Sequence, residues 1–130
     1  MSKLRATTFV LVLAGTVAAG CAGNRPSATA EMRNGMMTDW YEHKTLYTYD
    51  KDSTNPPQST CTSAYCSWQW PAFRPLPGDS PRGDFTVIKR EDGTLQWAYK
   101  GKPLYFYTGD QNTGDKTGDG RNGVWHVAVM

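Results

Sequence analysis

Apolar positions along this chain fall into one early block and then into short alternating runs broken by Gly, Pro and Asp. The block, Thr7 to Val17, is almost wholly apolar or small, and polar sequence follows it. Beyond it no stretch sustains an apolar period of about 3.6 residues, so little helix is expected past the leader. Strand signals are stronger. TLYTYD (Thr45 to Asp50) is rich in β-branched and aromatic residues. DFTVIKR, EDG and TLQWAYK read as a hairpin turning at Asp92-Gly93, with Leu95, Trp97 and Tyr99 on one face and Gln96, Ala98 and Lys100 on the other. A second turn, Lys100 to Pro103, leads into LYFY (Leu104 to Tyr107), and VWHVAV (Val124 to Val129) supplies a last strand. Between these two lies a Gly/Asp/Asn loop. The pattern predicts a mostly β fold, a small antiparallel sheet domain with little helix beyond the signal peptide.

The early block is an export signal. Lys3 and Arg5 precede it, and Ala18, Ala19 and Gly20 lead into Cys21. The apolar core is shorter than the ~20 residues of a stable membrane span. A cysteine sits where a lipobox places one, with Ala18 at the position that most often holds Leu. Cys21 is therefore the expected lipidation site, and the membrane, reached through this N-terminal anchor, is the expected partner. Cleavage at an ordinary site, releasing a free protein, is the alternative. Ala22 is not the Asp that retains many lipoproteins on the inner membrane, so in a Gram-negative host the outer membrane is favoured. Removing Lys3 and Arg5 from the 14 basic residues leaves 12 against 12 acidic ones. The mature chain thus has no net basic field, and nucleic-acid binding is set aside. The expected organisation is a signal at 1–20, a flexible tether at 21–37, and a β domain at 38–130. MRNGMM, near residue 35, reads as the tether's end or a first turn.

An internal echo organises that domain. LYTYDKD (Leu46 to Asp52) and LYFYTGD (Leu104 to Asp110) share Leu-Tyr-x-Tyr-x-x-Asp, and a tryptophan follows each (Trp70, Trp125). The domain therefore reads as two related strand–loop repeats, at about 38–75 and 84–130. Here the chain resembles a family of small bacterial lipoproteins and secreted repeats named for a Y-x-(F/W/Y)-x-x-D motif. The matching residues are Tyr47, Tyr49 and Asp52, then Tyr105, Tyr107 and Asp110. The stretch DGTLQWAYKGKPLYFYTGD, with GDG and VWHV after it, looks like the family's C-terminal half. Cys61, Cys66, Trp70 and Pro71 resemble its first half, although four residues separate the cysteines where the family pattern has three. The resemblance spans Thr38 to Met130. It implies an exported protein and brings no biochemical activity with it.

Candidate chemistry is sparse. Once Cys21 carries lipid, Cys61 and Cys66 are left as an even pair in an exported chain, which reads as a disulfide. Active-site dithiols usually have two intervening residues at a helix N-terminus. The Ser/Thr-rich loop here fits a structural clip better, contributing about 2 kcal/mol. Met32, Met36, Met37 and His43 are ligands of the kind copper(I) accepts, and Asp110, Asn112, Asp115 and Asp119 supply oxygens of the kind calcium accepts. Ordinary packing and a turn-rich loop account for both sets, and no metal or cofactor is assigned. His126 lies in an alternating strand, opposite in face to Trp125. The chain carries no nucleophile elbow, no His-Glu-x-x-His and no phosphate loop, so no enzyme is indicated. Asp52 and Asp110 would form a carboxylate pair, or would each hold a turn through backbone amides. Tyr47, Tyr49, Trp97, Tyr99, Tyr105, Tyr107 and Trp125 line either the core or a binding platform, with the core favoured for most of them. Two functional hypotheses follow: a non-catalytic envelope module for an unidentified ligand or protein partner, and a redox or copper-handling envelope accessory.

Overall fold

The computed structural model describes residues 30–130, together with Gly15. The signal at 1–20, Cys21 and the tether as far as residue 29 lie outside the described residues. The fold is mostly β, built from small antiparallel sheets. Strand β1 (Ala30–Arg33) pairs with β2 (Met36–Asp39). Strand β3 (Tyr47–Tyr49) pairs with the last strand, β9 (Trp125–Val127). Strands β4 (Ser53–Thr54) and β5 (Pro57–Gln58) form a small hairpin, and β6 (Phe85–Lys89), β7 (Leu95–Tyr99) and β8 (Lys102–Pro103) form a three-stranded sheet.

The expected hairpin is present, with Val87 opposite Trp97 and the chain turning through Gly93. Both faces of β7 are covered, however, and Gln96, Trp97 and Ala98 are all buried while Leu95 is exposed. Folded sequence also begins earlier than the expected tether boundary at 37. The turn at Asn34-Gly35 has positive φ at both central residues, the geometry of a tight two-residue hairpin. It brings β2 back so that Met37 is fully buried. LYFY is not a continuous strand: regular pairing stops at Pro103, and Tyr105 makes single bridges to Tyr47 on one side and Ala72 on the other. Two different neighbours claim it, which leaves no long ladder. A short helix, α1 (Ala64–Gln69), lies where a loop was expected. The Ser63 hydroxyl accepts the Cys66 N–H at 3.1 Å and caps it.

The two repeats are interlocked rather than side by side. Tyr47 N–H donates to the Tyr105 carbonyl at 2.8 Å, and Tyr105 N–H returns to Tyr47 at 3.0 Å. Around this centre the bonds match one for one. Leu46 N–H reaches Met37 as Leu104 N–H reaches Trp97, both at 2.9 Å. Ala128 of the second repeat donates to Leu46 of the first (2.8 Å), and Phe73 of the first donates to Leu104 of the second (2.9 Å). Each repeat thus closes with a segment from the other. Two apolar clusters result. One gathers Met37, Leu46, Phe73, Phe85, Trp97 and Leu104, and the other gathers Tyr47, Cys61, Trp70, Tyr105, Tyr107 and Trp125.

Candidate functional site

The motif residues converge on the second cluster, and their exchange follows the backbone's. Tyr47 Oη donates to Asp110 Oδ2 at 2.6 Å, and Tyr105 Oη donates to Asp52 Oδ2 at 2.6 Å. The first tyrosine of each motif copy is therefore bound by the aspartate of the other repeat. The second carboxylate oxygens are also matched. Asp52 Oδ1 accepts from the Thr60 N–H and hydroxyl (2.8 and 3.0 Å), and Asp110 Oδ1 accepts from the Thr117 N–H and hydroxyl (2.9 and 2.6 Å). Of the two readings left open by the sequence, the loop-holding aspartate describes both copies, with the partner repeat's phenol added.

Aromatic packing repeats the relation once more. Trp70 and Trp125 stack face to face at 3.8 Å. Tyr47 meets Trp70 edge-on at 5.4 Å, as Tyr105 meets Trp125 at 5.1 Å. Tyr49 stacks on Trp125 at 4.1 Å, and Tyr107 lies against Trp70 at 4.5 Å. Gly118 permits the close approach. A Cβ there would sit 2.8 Å from Trp70 Cη2, and its N–H donates to Tyr47 Oη at 3.3 Å.

Electrostatics hold both bonded phenols in their protonated form. Burial, reinforced by the hydrogen bond to Asp110, pushes the Tyr47 phenol far above its ordinary range. Burial and the Asp52 charge do the same for Tyr105. Burial also raises Asp52, against the opposing bonds from Tyr105 and Thr60 and the charge of Arg90. Both phenols stay protonated at neutral pH and serve as donors, not nucleophiles.

Arg90 was not visible as special in the sequence, where it ends a strand-like run beside a turn. It is 5% exposed. Its guanidinium donates to Gln96 Oε1 at 2.6 Å, to the Cys61 carbonyl at 2.7 Å and to Ser59 Oγ at 2.9 Å, and Ser59 Oγ in turn lies 2.8 Å from Tyr105 Oη. The Cys61–Cys66 disulfide is formed and holds that carbonyl's segment against α1. Thr60 and Thr117 were also missed, although their offsets of eight and seven residues from the motif aspartates are a detectable signal.

The metal candidates are drawn only partly together, with Met32 opposite Met37 across the β1–β2 pair. Met36 and Met37 are neighbours on β2 and point to opposite faces, with Met37 in the core. His43 Nδ1 lies 2.8 Å from Glu31. In the Asp-rich loop, Asp110 is taken up as described and Asp119 Oδ1 accepts the Val127 N–H. Amides of Asn112 and Gln111 bind Asp115 and hold its carboxyl below the usual range. Among the described residues, no group of three or more His, Cys, Asp or Glu side chains is placed to hold an ion. His126 bonds Asp50 at 2.7 Å on the half-exposed face of β9.

The β6–β7 hairpin, the LYFY segment, Asp110, the GDG turn and Trp125 together make up the second repeat. Residues 86–129 match a family described as a secreted repeat of unknown function. The match runs from within β6 through β9 and takes in Tyr105, Tyr107 and Asp110 of the second motif copy, whereas Tyr47, Tyr49 and Asp52 lie outside it. No curated protein and no solved structure matches the chain. Among the described residues, no helix is long and apolar enough to cross a membrane.

Rings that face solvent lie elsewhere. Trp40, Tyr41, Tyr65 and Trp68 are exposed, the last two on α1 with centroids 6.3 Å apart. A groove of about 350 Å³ runs past Tyr41, Phe73, Leu76 and Phe106.

Proposed function

We propose that the chain is a lipid-anchored, non-catalytic module of the cell envelope, cut before Cys21, whose repeated motif builds its fold and whose partner is met elsewhere. The observation that carries this reading is the reciprocal bonding of Tyr47 to Asp110 and Tyr105 to Asp52. It uses both phenols and both carboxylates internally, and the neighbouring Trp70 and Trp125 are buried against each other. A binding platform on those strand faces, one of the two expectations for the aromatic residues, loses its support. Contact with a ligand or an envelope protein then falls to the exposed Trp40, Tyr41, Tyr65 and Trp68. The short apolar leader ending at Cys21 and the match to a secreted repeat support the anchored envelope location. In a Gram-negative host, Ala22 in place of a retaining Asp favours the outer membrane.

Expression with an alkyne-bearing fatty acid tests the anchor. The label and the membrane fractionation are both expected to disappear in Cys21→Ala. A variant that still takes up label, or that still fractionates with membranes, would contradict the reading.

A further inference from the structure

Six aromatic rings from the two repeats are in continuous contact. Tyr49 stacks on Trp125, Trp125 stacks on Trp70, and Trp70 lies against Tyr107, with successive centroids 4.1, 3.8 and 4.5 Å apart. Tyr105 and Tyr47 meet the two indoles edge-on. Tyr49 is the half-buried end of this array, whereas the indoles are 2% and 3% exposed. Adjacent rings at such separations exchange an electron readily. What ordinarily stops a buried tyrosine from giving one up is its proton, because an oxidised phenol is a very strong acid and needs a base at hand. Both buried motif phenols have that base at 2.6 Å.

From this geometry we infer that the Trp70–Trp125 stack and the two exchanged Tyr–Asp pairs form a proton-coupled electron relay, filled from a diffusible one-electron oxidant at Tyr49. The oxidant takes one electron and is reduced. The vacancy passes through Trp125 to Tyr105, or onward through Trp70 to Tyr47. The phenolic O–H bond then breaks, and the proton moves to Oδ2 of Asp52 or Asp110. A neutral tyrosyl radical and a carboxylic acid are left. A one-electron reductant of the thiol or ascorbate class restores the phenol, which takes its proton back from the carboxyl. Tyr107 is the poorer stop because the Arg121 guanidinium lies 4.7 Å over its ring and opposes a positive charge there. The module would thereby hold an oxidising equivalent in its core instead of losing a surface side chain to it.

The test is flash oxidation of the exported protein with photogenerated tris-bipyridine ruthenium(III), followed by freeze-quench electron paramagnetic resonance. The wild type is expected to give a neutral tyrosyl signal that forms more slowly in deuterium oxide and couples to one exchangeable deuteron. The signal is expected to fall by about half in Tyr105→Phe or Tyr47→Phe, to vanish in the double variant, and to be unchanged in Tyr99→Phe, whose ring packs on Phe85 outside the array. Tyr49→Phe slows its formation. A tyrosyl signal that survives the double variant, or is lost in Tyr99→Phe, overturns the relay. If the double variant does not fold, the wild-type measurement decides alone: a radical without an exchangeable deuteron or an isotope effect overturns it.

Discussion

The two Tyr–Asp pairs carry the same motif and the same geometry, yet they are embedded differently. Tyr47–Asp110 is closed by a glycine loop, with the Gly118 amide and Thr117 completing the shell and Asp110 buried. Tyr105–Asp52 backs onto Ser59, Arg90, Gln96 and the disulfide-bound Cys61 carbonyl. One pair is thus held by close backbone approach, the other by a buried cation with neutral partners. The repeated motif fixes the bonds that cross between repeats, and each repeat is free to complete its own shell.

That contrast is most strongly tested at Arg90. Arg90→Ala leaves Gln96, Ser59 and a backbone carbonyl buried without their donor. A loss of about 3 kcal/mol is expected in urea unfolding. Arg121→Ala, on the exposed side of the other pair, should cost under about 1 kcal/mol. Equal losses would erase the distinction. Reducing the disulfide acts on the same shell and is expected to cost about 2 kcal/mol. Its effect should shrink when Arg90 is already removed, since both constrain the Cys61 segment. Full additivity would separate them.

Alkali tests what the pairs share. Both phenols are raised in the folded state, so folding favours their protonated forms. Their contribution is fully present below pH 10, the ordinary phenol value, and is lost as pH rises above it. Stability should then fall by about 1.4 kcal/mol per pH unit for each phenol. Tyr105→Phe should halve the slope. Asp52 has the same sign at the acid end: its raised carboxyl is favoured protonated, and that contribution is lost as pH climbs through its folded value.

Much of this fold was legible in local pattern. The β6–β7 hairpin and the two repeats follow from alternation and spacing within a short window, and the Cys61–Cys66 disulfide from the even pair left once Cys21 is set aside. What pairs with what across the repeats was not legible, for a physical reason. Both copies carry Tyr, Tyr and Asp at the same spacing, so bonding within a repeat and bonding between repeats present the same sequence. Helix α1 was hidden because its six residues show no apolar period, and only Ser63 signals its start. Arg90 was hidden because nothing in a single cation beside a turn announces burial. The stretch from Ala30 to Met37 looked like tether because it continues a small, polar segment, and only Ala30 and Met37 of it enter the core.

The exchange itself is the central claim, and a double-mutant cycle addresses it most directly. Tyr105→Phe combined with Asp52→Ala should show a coupling of about 1–2 kcal/mol, because these residues share a bond between repeats. Tyr105→Phe combined with Asp110→Ala, two changes in one repeat, should be additive to within about 0.5 kcal/mol. A strong coupling inside the repeat and none across it would contradict the account.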